Sequence, residues 1–137
     1  MKTLDMRFIR YLNLFEKISG VRTKNCFFYN NNLVFVVPGA LMSKAIGENG
    51  KNVRRIMEII GKKGKVVKLP SGIREIKEFI SAIIHPIEIR EINLESNELV
   101  IVAGRNKAAL IGRNKTRLEE MKEIMEQYFD IKNVRIA

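Results

Sequence analysis

Residues 45–56 read Ala-Ile-Gly-Glu-Asn-Gly-Lys-Asn-Val-Arg-Arg-Ile, and this stretch decides the fold. Apolar residues at helical spacing lead up to Ile46, then Gly47-Glu48-Asn49-Gly50 interrupts them. Helical periodicity resumes at once through Val53, Ile56, Met57 and Ile60. A helix restarting just after a glycine loop aims its first backbone N–H groups and its positive dipole end at that loop. Such an end suits an anion. Gly47 and Gly50 carry no Cβ, so a phosphate backbone can lie against the main chain. Lys44 before the break and Lys51, Arg54 and Arg55 after it supply positive charge, while Ile46 and Val53 offer an apolar floor for bases.

Outward from this loop the order of elements is helix over 2–19, strands over 22–29 and 33–37, and a short helix to Ile46. The loop follows, then a helix over 51–60 and a strand over 65–69. The first helix is carried by Leu4, Phe8, Ile9, Leu12, Phe15 and Ile18, and Gly20 stops it. Asn30-Asn31-Asn32 tolerates left-handed backbone and suits a hairpin turn. Beyond the joint at Pro70-Ser71-Gly72 the order repeats. A helix over 73–84, strands over 87–94 and 98–103 around Ser96-Asn97, a short helix over 106–111, a loop Gly112-Arg113-Asn114-Lys115, a helix over 116–129 and a strand over 132–136 are expected. The stretches starting at Leu33 and Leu99 align, with Gly47 on Gly112 and Asn49 on Asn114. A duplicated plan is stronger evidence than either loop alone. The expected class is α/β of the α+β kind, in two domains spanning 1–70 and 71–137. The short joint implies a rigid pair with a continuous ligand track.

Charge divides along the same boundary. Residues 1–70 hold fourteen lysines and arginines against four acids, whereas residues 71–137 hold eleven against eleven, so the whole net charge of +10 lies in the first half. An anionic partner is expected there. Cys26 is the lone cysteine, so an internal disulfide is excluded and a reducing, cytoplasmic setting is expected. In its apolar stretch Cys26 serves as core filler. No apolar run approaches the ~20 residues of a membrane span, and charges alternate with the apolar residues at the N-terminus as no signal peptide allows.

Enzyme chemistry finds no footing. Neither loop has the G-x-x-x-x-G-K-[ST] of a nucleotide-binding P-loop, and the first follows a helix rather than the strand a dinucleotide fold requires. His85 stands alone before Pro86, so no histidine triad or metal cluster can be assembled. Glu119, Glu120, Glu123 and Glu126 lie among lysines along one helix, the pattern of a solvated face. No cofactor or small-molecule substrate is implied. Most phenylalanines sit at core spacings, and Tyr29 is the one aromatic left open for base stacking.

The run Ile46-Gly47-Glu48-Asn49-Gly50-Lys51-Asn52-Val53 resembles the I-G-x-x-G-x-x-[IV] core of the KH domain. In that family a GxxG loop between two helices clamps about four nucleotides of single-stranded nucleic acid. A helix and hairpin placed before the helix–loop–helix resemble the type II arrangement, each domain a small three-stranded sheet covered by helices. A tandem pair filling a chain of this length is similar to the archaeal NusA-like transcription factors. The resemblance implies single-stranded RNA as ligand, RNA polymerase as a further partner, and a role in transcription elongation or termination. A KH-type adaptor in ribosome assembly or translation is the alternative. It also implies RNA contacts at Lys44, Ile46, Gly47, Glu48, Asn49, Gly50, Lys51, Val53 and Arg54. The strand lining the far side of the groove adds Lys65 and Lys68, which alternation puts on opposite faces. Glu48 is expected to point outward. In the second domain Arg105, Lys107, Gly112, Arg113, Asn114 and Lys115 correspond, with Lys115 replacing the last glycine and bringing a side chain where the family keeps the backbone bare. That loop is expected to support the first rather than grip as tightly.

Overall fold

The computed structural model describes residues 6–137, so the expected first turn of helix, with Leu4, lies outside the described residues. The chain forms two compact units that divide between Leu69 and Pro70. In the first, α1 (Met6–Ser19) precedes the hairpin β1 (Asn25–Tyr29) and β2 (Asn32–Val37). A tight turn over Gly39–Leu41 leads into α2 (Met42–Ile46); α3 (Lys51–Ile60) and β3 (Gly64–Lys68) follow. The second unit repeats this with α4 (Ile76–Ile84), β4 (Glu91–Glu95), β5 (Glu98–Val102), α5 (Lys107–Ile111), α6 (Thr116–Phe129) and β6 (Asn133–Ile136). Each unit has one three-stranded sheet, ordered β1-β2-β3 and β4-β5-β6. The first pair is antiparallel and the second parallel in both. The helix–loop–helix thus serves as the crossover that a parallel pair requires.

The hairpins turn where the sequence supplies residues that tolerate left-handed backbone. Asn30 and Asn31 have φ of 51° and 61°, and Ser96 and Asn97 have 46° and 66°. Two such residues in succession make the primed turn whose twist matches the strands, so Asn32 belongs to β2 rather than to the turn. The first strand of each hairpin starts later than its apolar residues suggest, at Asn25 and Glu91 instead of 22 and 87. In the first unit Val21 is buried beside the helix end instead, its N–H donating to Ser19 Oγ at 3.1 Å.

The first core lies between sheet and helices. Phe15 and Phe35 stack with centroids 4.3 Å apart, surrounded by Val21, Leu33, Val37, Ala45 and Ile56. Half-buried Cys26 packs against this cluster. The opposite face of β1–β3 is also apolar: Phe27, Tyr29, Val34, Val36 and Val67 are each at most 2% exposed. Tyr29 is therefore core and not a stacking platform. The second sheet is less evenly apolar, with Val100 the buried residue on the face it shares with Arg135. Ile92, Leu99, Ile101, Val134 and Ile136 are buried, while Glu91, Glu95 and Arg135 are exposed, and Arg135 Nε lies 3.5 Å from Glu98 Oε1. Phe15→Ala should lower stability by about 3–5 kcal/mol, the usual range for emptying a buried aromatic site, as measured by urea denaturation followed by circular dichroism. A loss under about 1 kcal/mol would mean that the stacked pair does not organise this core.

Candidate nucleic-acid interface

The break between α2 and α3 is a backbone device. Gly47 closes α2, its N–H donating to the Ser43 carbonyl at 3.0 Å, and takes φ 81° and ψ 165°. This is a region that side chains essentially exclude. Space forbids a side chain too: a Cβ on Gly47 would lie 2.8 Å from the Asn52 amide carbon and nitrogen and 3.1 Å from its backbone nitrogen. Asn52 needs that room, because Nδ2 donates across the break to the Lys44 carbonyl at 3.1 Å. Asn49 (φ 55°, ψ 27°) and Gly50 (φ 73°, ψ 17°) then take left-handed conformations that swing the chain into α3. A Cβ on Gly50 would meet nothing closer than the Arg54 guanidinium at 3.6 Å, so this glycine serves conformation and an open surface. Arg54 donates to the Asn49 carbonyl and braces the loop.

Two of the N–H groups expected to face a ligand are spent inside the turn. Gly50 donates to the Gly47 carbonyl at 3.0 Å and Lys51 to the Glu48 carbonyl. What the loop presents is a closed, glycine-flanked bend with the exposed Lys51, Glu48 and Asn49 around it, at the positive end of α3.

The second loop copies this geometry. Gly112 has φ 76° and ψ 169°, Asn114 φ 56° and ψ 30°, and Lys115 φ 61° and ψ 22°. Lys115 therefore holds the conformation of Gly50 at a cost of roughly 1–2 kcal/mol. A Cβ on Gly112 would lie 2.9 Å from the backbone nitrogen of Arg117, the residue standing where Asn52 does. Beyond the loops the copies diverge in charge. Arg54 and Arg55 correspond to Glu119 and Glu120, and Glu120 pairs with Arg117.

Not every expected contact gathers at its loop. Val66 packs into the α1–α3 core, so Val66 and Lys68 share the helix-facing side of β3 and Lys65 points the other way with Val67. Burial pushes the half-buried Lys65 ammonium below its ordinary value. Lys68 lies along Gly39, whose added Cβ would sit 3.1 Å from its Cε. The Lys44 side chain leans towards the C-terminal end of α1, with Cε 3.3 Å from where a Cβ of Gly20 would be. There it faces helix-end carbonyls that favour a cation. Arg105 and Lys107 sit at the opposite end of α5 from the Gly112 loop. Ile46 and Val53 are half-buried beside the first loop. Their counterparts Ile111 and Leu118 line a furrow of about 290 Å³ with Val134 and Ile136, between the helix pair and β6. Asn52 was the residue the sequence pattern missed, since only the approach of Lys44 and Gly47 reveals its role.

No protein-family profile matches the chain. Three curated proteins, each named "Probable transcription termination protein NusA", do match over nearly all of it. The Methanococcus vannielii protein is 28% identical, over 98% of this chain and 79% of that protein. The Halococcus morrhuae protein is 24% identical over 98% of each. That of Methanocaldococcus jannaschii is 25% identical over 93% of this chain and 71% of its own length. The chain is similar to archaeal NusA proteins. A solved structure described as "Crystal structure of APE1850" superposes with a TM-score of 0.68, at 25% identity, over 98% of this chain and all of that one. The similarity to these relatives thus spans nearly all of both units.

The two glycines of the first loop should respond differently to a methyl group. Gly47→Ala meets both a forbidden backbone region and Asn52, whereas Gly50→Ala meets only a left-handed φ. The first should cost at least about 1 kcal/mol more in urea unfolding. In the second loop Lys115→Gly should stabilise by up to about 1 kcal/mol, the relieved φ outweighing the added freedom of the unfolded chain. Equal costs for the two alanine variants would mean that Asn52 yields without penalty.

Proposed function

We propose that the chain is a NusA-like transcription factor that binds single-stranded RNA through two tandem type II KH domains, without chemistry of its own. The reading rests above all on one observation: both helix–loop–helix crossovers bend through the same dihedral angles, and the first keeps glycine at each end of the bend. Such a bend lets a phosphodiester backbone approach the main chain more closely than any side chain would permit. Lys51 supplies the cation, the α3 dipole adds to it, and Ile46 and Val53 support bases along the groove that Lys68 borders. Glu48 and Asn49, both exposed, define the loop's outer edge. The first unit grips more tightly, because Arg54 and Arg55 become Glu119 and Glu120 in the second. There Gly112, Arg113, Asn114 and Lys115 make a supporting contact, with Arg105 and Lys107 further along. The printed names of the relatives favour transcription termination over a ribosomal role, and RNA polymerase is the protein partner that such a role entails.

Asn49→Asp places a second carboxylate beside Glu48 and keeps a residue type that tolerates left-handed backbone. We expect it to weaken binding of a short single-stranded RNA by about tenfold or more, as charge repulsion at a phosphate contact should, while the urea midpoint stays put. Asn114→Asp should weaken it less. Wild-type affinity measured by fluorescence anisotropy should fall with salt at a log–log slope of roughly −2 to −3 for three or four phosphate contacts in the first unit. Unchanged affinity in Asn49→Asp would reduce the Gly47–Gly50 bend to a helix cap.

A further inference from the structure

The first unit has an opening that its duplicate has closed. Between α1 and α3 runs a groove of about 680 Å³ with Leu14, Ile18 and Ile59 as its apolar lining and Lys17, Lys51, Arg54 and Arg55 around it; among the described residues Glu58 is the one acid there. Ile59 is 56% exposed. In the second unit the matched residues are buried. Counting from the matched loop glycines, Ile59 corresponds to Ile124, which is 3% exposed. Counting back from the matched helix ends, where Gly20 and His85 each donate to the carbonyl four residues earlier, Leu14 and Ile18 correspond to Phe79 and Ile83. Those are 3% and 1% exposed.

The difference has a covalent cause. Gly61, at φ 76°, ends α3 after 10 residues, whereas Glu126 stands at that place in α6 and the helix runs on to 14 residues. The extra turn brings Tyr128 and Phe129 onto Phe79, with ring centroids 4.9 and 5.8 Å apart. Helix-borne aromatic rings thus pack, in the second unit, at the position matched to Leu14.

We propose that the α1–α3 groove is a docking site for an acidic helical segment of a partner protein, which seats an aromatic side chain against Leu14, Ile18 and Ile59. The duplicate supplies the shape argument, since helix-borne aromatic rings pack there on Phe79, the counterpart of Leu14. The rim supplies the charge argument: four cations to one acid select an acidic segment. Among the described residues the apolar lining holds no aromatic platform of the kind that single-stranded nucleic acid uses for stacking, which favours a protein occupant over a second stretch of RNA. Lys51 and Arg54 also belong to the Gly47–Gly50 bend, so such a partner touches the edge of the proposed RNA clamp, but the site stands without it.

The test uses the full chain, labelled with nitrogen-15 and titrated by NMR with a defined probe. The probe is a capped 14-residue helix of glutamate and alanine carrying one phenylalanine and one leucine four residues apart. We expect saturable shifts below about 1 mM, clustered on Leu14, Lys17, Ile18, Arg55 and Ile59. Replacing the probe's phenylalanine by alanine should weaken binding about tenfold, as should Ile59→Ser in the protein, because each removes the anchor contact. Lys17→Glu should act in the same direction, and high salt should weaken all forms. Ile59→Ser changes an exposed side chain, so the fold and the binding of a uridine dodecamer should be unaffected. Absence of saturable shifts, shifts centred elsewhere, or indifference to the phenylalanine would each overturn the proposal. So would a uridine dodecamer that shifts Lys17, Ile18 and Ile59 and binds Ile59→Ser more weakly, which would assign the groove to RNA. Failure of the RNA clamp reading alone would show in Asn49→Asp and leave the peptide titration intact.

Discussion

Each unit depends on one residue without a side chain. Gly47 and Gly112 sit where the chain must leave one helix and enter the next across four residues, at φ near 80° and with the following helix pressed close. A methyl group would meet the Asn52 amide in one case and the Arg117 backbone in the other. Everything downstream inherits its position from that bend. It sets the angle at which α3 and α6 leave, and so which of their faces meet the sheet. It also sets how β3 and β6 return parallel to β2 and β5. A parallel partner cannot be reached by a tight turn, so the crossover is obligatory, and the glycine is what lets a crossover this compact contain two helices.

The two copies then spend the same geometry differently. In the first, the residues after the bend are Lys51, Arg54 and Arg55, and a bare Gly50 keeps its surface open. In the second they are Thr116, Glu119 and Glu120, and Lys115 holds a strained left-handed backbone in place of glycine. Strain retained at one exposed position, while the bend around it stays unchanged, indicates that the shape of the loop matters in both copies. Arg117 answers Glu120 in the second copy, turning the start of α6 into a self-satisfied pair. Arg54 answers a backbone carbonyl in the first and leaves the acid out. Two charge reversals between the halves, Arg54 to Glu119 and Arg55 to Glu120, therefore lie at matched sites beside the bends.

Much of this was legible beforehand because it rests on local rules. Glycine flanking a charged bend, paired asparagines at a hairpin and a repeated order of apolar periods are all written within a few residues of where they act. The misplacements arose where the deciding contact is distant in sequence. Lys65 and Lys68 alternate faces, but both faces of β3 carry a valine, so only the packing of Val66 against the helices tells which lysine borders the groove. Lys44 looks like a loop cation until the end of α1, more than twenty residues earlier, comes beside it. Tyr29 next to three asparagines stays open for stacking in the sequence, yet it is buried on the second face of a sheet that is apolar on both sides.

Gly61 carries the last step. By itself it is an ordinary helix stop, with nothing within 4 Å of the Cβ it lacks. Beside its counterpart Glu126 it acquires a consequence, because ending α3 a turn early removes the place where Tyr128 and Phe129 would have stood. Ile59 lies outside the period of Val53, Ile56, Met57 and Ile60 and is exposed, whereas its counterpart Ile124 is buried. A duplicated fold thus contains its own control experiment. Where one copy buries a position and the other leaves it open beside cations, stability does not account for the open form. Burying Ile59 would be worth about 1–2 kcal/mol on area alone, so the exposed residue and its basic rim are better explained by something the molecule meets than by anything it contains.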